Sequence, residues 1–383
     1  MKISTNRINN FLLLWYPLLN LVICYSFMGD MMNTFSLLIC GTIVFTNYKN
    51  LLKRKNYMVI LFWVLVTLCV SFVRDERPGI TSCMVYSITC MILIVDAETD
   101  ISKIRKILID HSGSFLCMQI LFFLVLAVYV LQYGLTAGWD TYVLQGPYLY
   151  PHTLAYIILL MMMVDCYLWM NSKKNVVFLF IVICAGCIVL TAVRSVLIVV
   201  AITALYALHR LFDRQRFNKL LFSLLIGVTV LAVAYRMGIF EIVVHKTNLA
   251  LANSSITNGR GDIVVSSLNA LEGDWILVKY LFGVGMDALQ ANNLLYYGAD
   301  IHAHNDLIDV LICHGIPNLL IYIYLLGKFS RNNIIWFAVS LGILVIFNGL
   351  FPYIDCIPIL LYSKILFDNL ENTQEPNKLR SWV

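Results

Sequence analysis

The sequence predicts an all-α fold, a polytopic membrane protein of about twelve transmembrane helices with one large external loop. Three observations carry this. Of 383 residues, 60% are hydrophobic and 13% charged, whereas about a quarter are charged in soluble globular domains. The apolar residues gather in runs near the ~20 residues that cross a hydrocarbon core as a helix. Most of the 27 Lys and Arg fall in alternate gaps between those runs, the bias that sets orientation.

The runs lie at 11–29, 31–47, 57–73, 79–96, 114–133, 150–170, 175–193, 195–209, 219–235, 305–326, 332–350 and 352–367. The first has no small-residue cleavage site after it and reads as a retained helix, not a signal peptide. With both termini cytoplasmic, the inside gaps hold Lys2 and Arg7, then Lys49, Lys53, Arg54 and Lys55, then Lys103, Arg105 and Lys106. Lys173 and Lys174, Arg210 to Lys219, Lys328 and Arg331, and Lys378 and Arg380 continue the series. These clusters report topology, so no nucleic-acid partner is expected. The chain reads as one polytopic domain, 1–383, with the external loop at 237–303 inside it.

In chain order, Arg74 to Pro78 forms an external turn, and Asp96, Glu98 and Asp100 a solvated linker. Ile101 to Ile109 has the pattern of a short interfacial amphipathic helix. The loop 134–149 carries Trp139, Tyr142 and Tyr148, which suit interface anchoring, with sugar stacking the alternative. Gly146 to His152 leads into the sixth run, which contains Asp165. Arg194 sits in the tight external turn between runs seven and eight. It either snorkels to headgroups or faces an anionic ligand. In the large loop, Val264, Leu268, Leu271, Trp275 and Val278 recur at helical spacing and predict an amphipathic helix on the membrane surface. The loop is net acidic apart from its histidines, which sets Arg260 apart from any general basic face.

The eleven cysteines lie almost all within apolar runs, as packing residues and not as a disulfide framework. No P-loop or dinucleotide fingerprint occurs, so no cofactor is expected. The large loop has no Asp-x-Asp and no His/Cys cluster, so no metal is expected. No internal repeat suggests two transporter halves. Asp165 and Asp309 are the acids that could serve a transporter or flippase. Ionisable groups at the mouth of a membrane helix mark a functional site by default, and His302, His304, Asp306 and Asp309 stand where the tenth run begins.

Three blocks together resemble the bacterial O-antigen ligases and polysaccharide polymerases. These are Leu190-Thr191-Ala192-Val193-Arg194; Asn258-Gly259-Arg260 with Leu281-Phe282-Gly283-Val284-Gly285; and His304-Asn305 followed after nine residues by Gly315. Gly146 to His152 is similar to a further family segment, with His152 where Asn is usual. Val193 replaces the usual Ser or Thr. The resemblance covers roughly the C-terminal two-thirds of the chain.

It implies a multi-span glycosyltransferase of a bacterial inner membrane, working at the external, periplasmic face. Donor and acceptor would be oligosaccharides linked to polyprenyl diphosphate. Membrane lipids and a chain-length regulator protein are further expected partners. The family's functional positions map onto Arg194 and Arg260 as diphosphate-binding residues and His304 as the catalytic residue. Planar guanidinium forks suit a diphosphate, and an imidazole can take a hydroxyl proton near neutral pH. Asn305, Asp306 and Asp309 are expected to support the site, and His302 is the weaker catalytic candidate. The expected activity is polymerisation, adding a glycan chain to another lipid-linked repeat unit. The alternatives are ligation to a lipid A core and, from another class, transport.

Overall fold

A computed structural model describes residues 5–27, 32–46, 55–73, 77–97, 101–138, 141–172, 174–212, 260–329, 336–347 and 353–358, with a few isolated positions between them. The first eight apolar runs each coincide with one long helix: α1 Thr5–Phe27, α2 Met32–Thr46, α3 Lys55–Val73, α4 Arg77–Ala97, α6 Ser112–Tyr133, α7 Pro151–Ser172, α8 Asn175–Thr191 and α9 Arg194–Phe212. The expected interfacial helix forms α5, Ile101–Asp110. The run at 219–235 lies outside the described residues.

Downstream come α10 Arg260–Asn269, α11 Ile276–Phe282, α12 Met286–Tyr296, α13 Asp306–His314, α14 Ile316–Phe329 and α15 Trp336–Phe347, then a 3-10 turn at Ile354–Cys356. The described chain is mostly helical, in keeping with the all-α expectation. The exception is a two-stranded antiparallel hairpin, Thr136–Gly138 with Thr141–Val143, inside the 134–149 loop. Among the described residues two helices, Ser112–Tyr133 and Pro151–Ser172, are long and apolar enough to cross a membrane, and seven shorter apolar helices accompany them.

Helix α7 is the centre of the bundle. Of its most apolar window, 94% is buried, against 28% for α6, which turns one side outward. Around α7 pack α8, α9 and the 3-10 turn. Helix α1 packs on α2 and α6, and α4 on α2, α3 and α14. Buried Met161, Met162, Tyr156 and Tyr167 fill the middle. Methionine's flexible thioether suits such irregular gaps.

One sequence expectation changes. The continuous amphipathic helix over 264–278 is two helices, α10 and α11, with a turn between them. Gly273 has φ +86° and Trp275 φ +60°. The amine of Lys279 reaches back to the carbonyls of Ala270 and Glu272 and closes the turn. Leu271 is buried while Trp275 is 80% exposed, so the five apolar residues do not share a face. The tenth run is broken at Gly315 into α13 and α14, where the sequence carries Gly315-Ile316-Pro317.

Candidate functional site

The turn before α9 places Arg194. Helix α8 stops at Thr191, whose hydroxyl donates to the Ile188 carbonyl at 2.7 Å. Ala192 then takes a left-handed φ of +54°. The Leu144 amide donates to the Leu190 carbonyl at 2.8 Å and docks the 134–149 loop onto this turn. Arg194 is thereby the first residue of α9, half-buried.

Arg260 opens α10 in the same way. Its guanidinium donates to the carbonyl of Phe347, the last residue of α15. Terminal helix carbonyls have no partner within the helix and attract cations. Burial depresses the Arg260 pKa, the neighbouring Tyr156 and Tyr353 oppose that, and the charge of Arg194 adds to it. The charge of Arg194 thus reaches Arg260.

The histidine loop is fixed at both ends. Asn293, buried on α12, donates to the Ile301 carbonyl at 2.9 Å and to Ser267 of α10 at 2.9 Å. At the other end Asn305 caps α13, its side-chain oxygen accepting from the amides of Leu307 (3.0 Å) and Ile308 (3.3 Å). This is an ordinary N-cap, which gives Asn305 a scaffolding role. Asp306 is fully buried and accepts from the Tyr322 hydroxyl at 2.7 Å.

Asp309 organises what lies between. One carboxylate oxygen is 2.9 Å from Nδ1 of His302, and the other accepts from the Ala303 amide at 2.8 Å. His304 follows with a left-handed φ of +54°, and its ring centroid is 4.2 Å from that of His302. Nδ1 of His304 is buried without a hydrogen-bond partner among the described residues.

The two rings differ in charge preference. For His302, burial disfavours the cation, but the charge and hydrogen bond of Asp309, with help from Asp306 and against Arg260, raise its pKa above the usual 6.5. For His304, burial and then the charges of His302, Arg260 and His152 push the pKa down to about 2. His304 is neutral in this arrangement.

The fourth segment is present as well. His152, near the start of α7, stacks on Tyr353 at 6.1 Å, and Tyr156 meets the same ring edge-on at 5.3 Å. The structure thus brings together His152, Arg194, Arg260 and the 302–309 loop, which are remote in sequence. Tyr156 and Tyr353 were not legible as site residues, because a tyrosine within an apolar run looks like packing. The His302–Asp309 pair was missed because it joins a loop residue to the first turn of α13, a contact that helical spacing alone does not suggest. His314 lies elsewhere, buried at the end of α13 and stacked on Tyr86 at 4.7 Å.

The sequence profile of a family described as O-antigen ligase matches residues 179–323. That stretch contains Arg194, Arg260, the histidine loop and Gly315. It agrees with the resemblance read from the motifs. No curated protein and no solved structure matches the chain.

Proposed function

We propose that this chain, through the O-antigen ligase family domain at residues 179–323, is a membrane glycosyltransferase of polysaccharide assembly, acting as a polymerase. The donor is a glycan on polyprenyl diphosphate, and the acceptor is the sugar of another lipid-linked repeat unit. The observation that supports this most is Arg260 beside the His302–His304 loop, with the charge of Arg194 reaching Arg260. Two permanent cations suit a diphosphate leaving group, and bidentate guanidinium contacts orient it. Diphosphate is already a good leaving group, so the poor partner is the acceptor hydroxyl. A histidine within reach of that hydroxyl supplies the base. We place the reaction at the external face of an inner membrane, with both termini cytoplasmic, and with transfer independent of metal.

Transport is the weaker reading, on particular residues. Asp165 accepts from Gln119 at 2.7 Å through one oxygen, and its other oxygen is buried without a hydrogen-bond partner among the described residues. Asp309 is committed to the histidine loop through both oxygens and is not free to serve as a coupling carboxylate. Ligation to a lipid A core uses the same chemistry with another acceptor. Deleting the gene and analysing surface glycan separates the readings. A single repeat unit left on the core supports the polymerase; an uncapped core with long lipid-linked chains supports the ligase; unchanged glycan removes both.

A further inference from the structure

Two histidines stand on one short loop, and a base is needed once. Their surroundings differ. His302 has a fully buried carboxylate 2.9 Å from Nδ1. His304 has none, and its Nδ1 is buried without a partner among the described residues. A carboxylate only accepts, so the His302 Nδ1 carries the proton and donates it to Asp309. The backbone amide of His304 lies 3.1 Å from that same nitrogen. One nitrogen cannot both donate to the carboxylate and accept from the amide, and the charge-assisted contact prevails. Nε2 of His302 is then the atom left with a lone pair. The His302 side chain is 19% exposed while Asp309 is fully buried, so the ring can be reached and its orienting group cannot. This is the arrangement of a histidine base held in one tautomer by an acid behind it.

We propose that His302, oriented by Asp309, receives the proton of the acceptor sugar hydroxyl, and that His304 is its neutral neighbour, which positions the reacting groups without taking the proton. The proposal deepens the glycosyltransferase reading and rests on it. The acceptor O–H bond breaks and its proton passes to Nε2 of His302. The freed oxygen forms a bond to the donor's anomeric carbon. The bond from that carbon to the diphosphate oxygen breaks, and its electron pair leaves with the diphosphate beside Arg194 and Arg260. His302 then returns the proton to solvent. Asp309 compensates the imidazolium charge while it lasts. The groups facing His302 are Asp309 and Asp306 from α13, Arg260 from α10 and His304 from the loop. The two carboxylates favour the cation and the other two groups oppose it. A neighbour such as His304, whose conjugate acid is pushed to about 2, is too weak a base to take a proton well at neutral pH.

The test uses the full-length protein in lipid nanodiscs with a synthetic polyprenyl-diphosphate oligosaccharide as donor and acceptor, at matched thermal stability. The pH–rate profile of the wild type should fall on the acid side with a midpoint above 6.5, since the base works only when deprotonated. Asp309→Asn should slow transfer and move that midpoint to lower pH, and Asp309→Glu should recover part of both. His302→Gln should lower kcat by about a hundredfold to ten-thousandfold, the usual worth of a positioned base, and remove the acid limb. His304→Gln should slow the reaction but keep the limb. The proposal is overturned if His302→Gln keeps the wild-type limb while His304→Gln removes it. In parallel, ring titration of isotopically labelled histidines should place His302 above 6.5 in the wild type and lower in Asp309→Asn. An unshifted His302 sinks the dyad whether or not transfer is seen. A wild type that transfers nothing while His302 titrates high counts against the glycosyltransferase reading instead.

Discussion

Gly283 and Gly315 cross backbone to backbone. A Cβ on Gly283 would overlap the Cys313 carbonyl, and one on Gly315 would overlap the carbonyl of Leu281. Both have positive φ, +72° and +83°, so a side chain is opposed by strain as well as by space. The crossing lets the Val284 amide donate to the Ile312 carbonyl at 2.7 Å, and Gly285 to Cys313 at 3.3 Å. These are carbonyls at the end of α13 that the helix itself leaves unpaired. The two sequence motifs that contain these glycines are therefore halves of one joint. It fixes the segment carrying α11 and α12 against the helix that begins with the histidine loop.

Gly283→Ala and Gly315→Ala should each lower stability by more than about 2 kcal/mol, through overlap and backbone strain together. Gly261, in α10 with open space around it, is the control. Gly261→Ala should be neutral or stabilise by up to about 1 kcal/mol. Thermal unfolding in detergent and membrane abundance are the readouts. Equal behaviour of the three variants would show that the crossing contributes nothing.

The arginines carry a second prediction. Arg194→Lys and Arg260→Lys keep the charge and lose the fork. Losing one charge-assisted hydrogen bond, at about 1.5–3 kcal/mol, corresponds to roughly a tenfold to hundredfold fall in transfer. Arg260→Lys should also loosen the link to the Phe347 carbonyl. With the diphosphate charge met by guanidinium groups, chelator should leave the wild-type rate unchanged. Normal rates in both lysine variants would mean that bulk charge suffices, and a rate lost in chelator and restored by magnesium or manganese would remove the metal-free scheme.

Much of this was legible in the sequence. Helices show in long apolar runs because nothing else satisfies the backbone in hydrocarbon, and eight runs match eight helices in order. Arg194, Arg260 and His304 were marked by the resemblance to the family's motifs, because an arginine at a turn or a histidine at a helix end reads equally well as an interface residue. What sequence did not give was pairing. The break at Glu272 to Trp275 depends on Lys279 folding back on the turn, and apolar spacing ran straight through it. His302 looked secondary because its partner is set by the loop's path, in which His304 takes a left-handed φ. Asp355 lies in the last apolar run with no motif around it to mark it, and it is buried.

The remaining histidines separate site from scaffold. His304→Ala should abolish glycan extension in a deletion strain, because it empties the space between Arg260, His302 and His152. His314→Ala removes a buried ring from its stack on Tyr86, which should cost stability by about 2–4 kcal/mol and leave the rate per folded molecule near wild type. Since His304 is held neutral, the activity of His304→Gln should keep the wild-type shape against pH. Full-length glycan from His304→Ala would exclude any part for that ring in the reaction, and a rate per folded molecule that falls equally in the His314 variant would make both effects structural.

Asp355 carries the last prediction, about what holds the bundle closed. Its Oδ1 accepts from the Ser36 hydroxyl and from the Asn20 amide at 3.1 Å, and the Tyr16 hydroxyl meets Ser36 at 2.8 Å. Asn20, Ser36 and Asp355 are all buried, on α1, α2 and the 3-10 turn. The network thus ties the start of the chain to a turn 335 residues beyond Asn20, next to Tyr353, which packs on His152. Buried polar groups are costly when a partner is removed and nearly neutral when all are removed together. Asp355→Ala removes the acceptor that Ser36 and Asn20 share and should lower stability by about 1–3 kcal/mol, because Asn20 still reaches Tyr16 and Ser36, and Ser36 still reaches Tyr16. Asp355→Asn keeps an oxygen acceptor in place and should cost less. Ser36→Ala should cost less on the Asp355→Ala background than on the wild type, because the hydroxyl has already lost one of its partners. Thermal unfolding of the four proteins in one detergent measures this cycle. If the two losses simply add, the residues are independent packing positions and the network does not act as a unit.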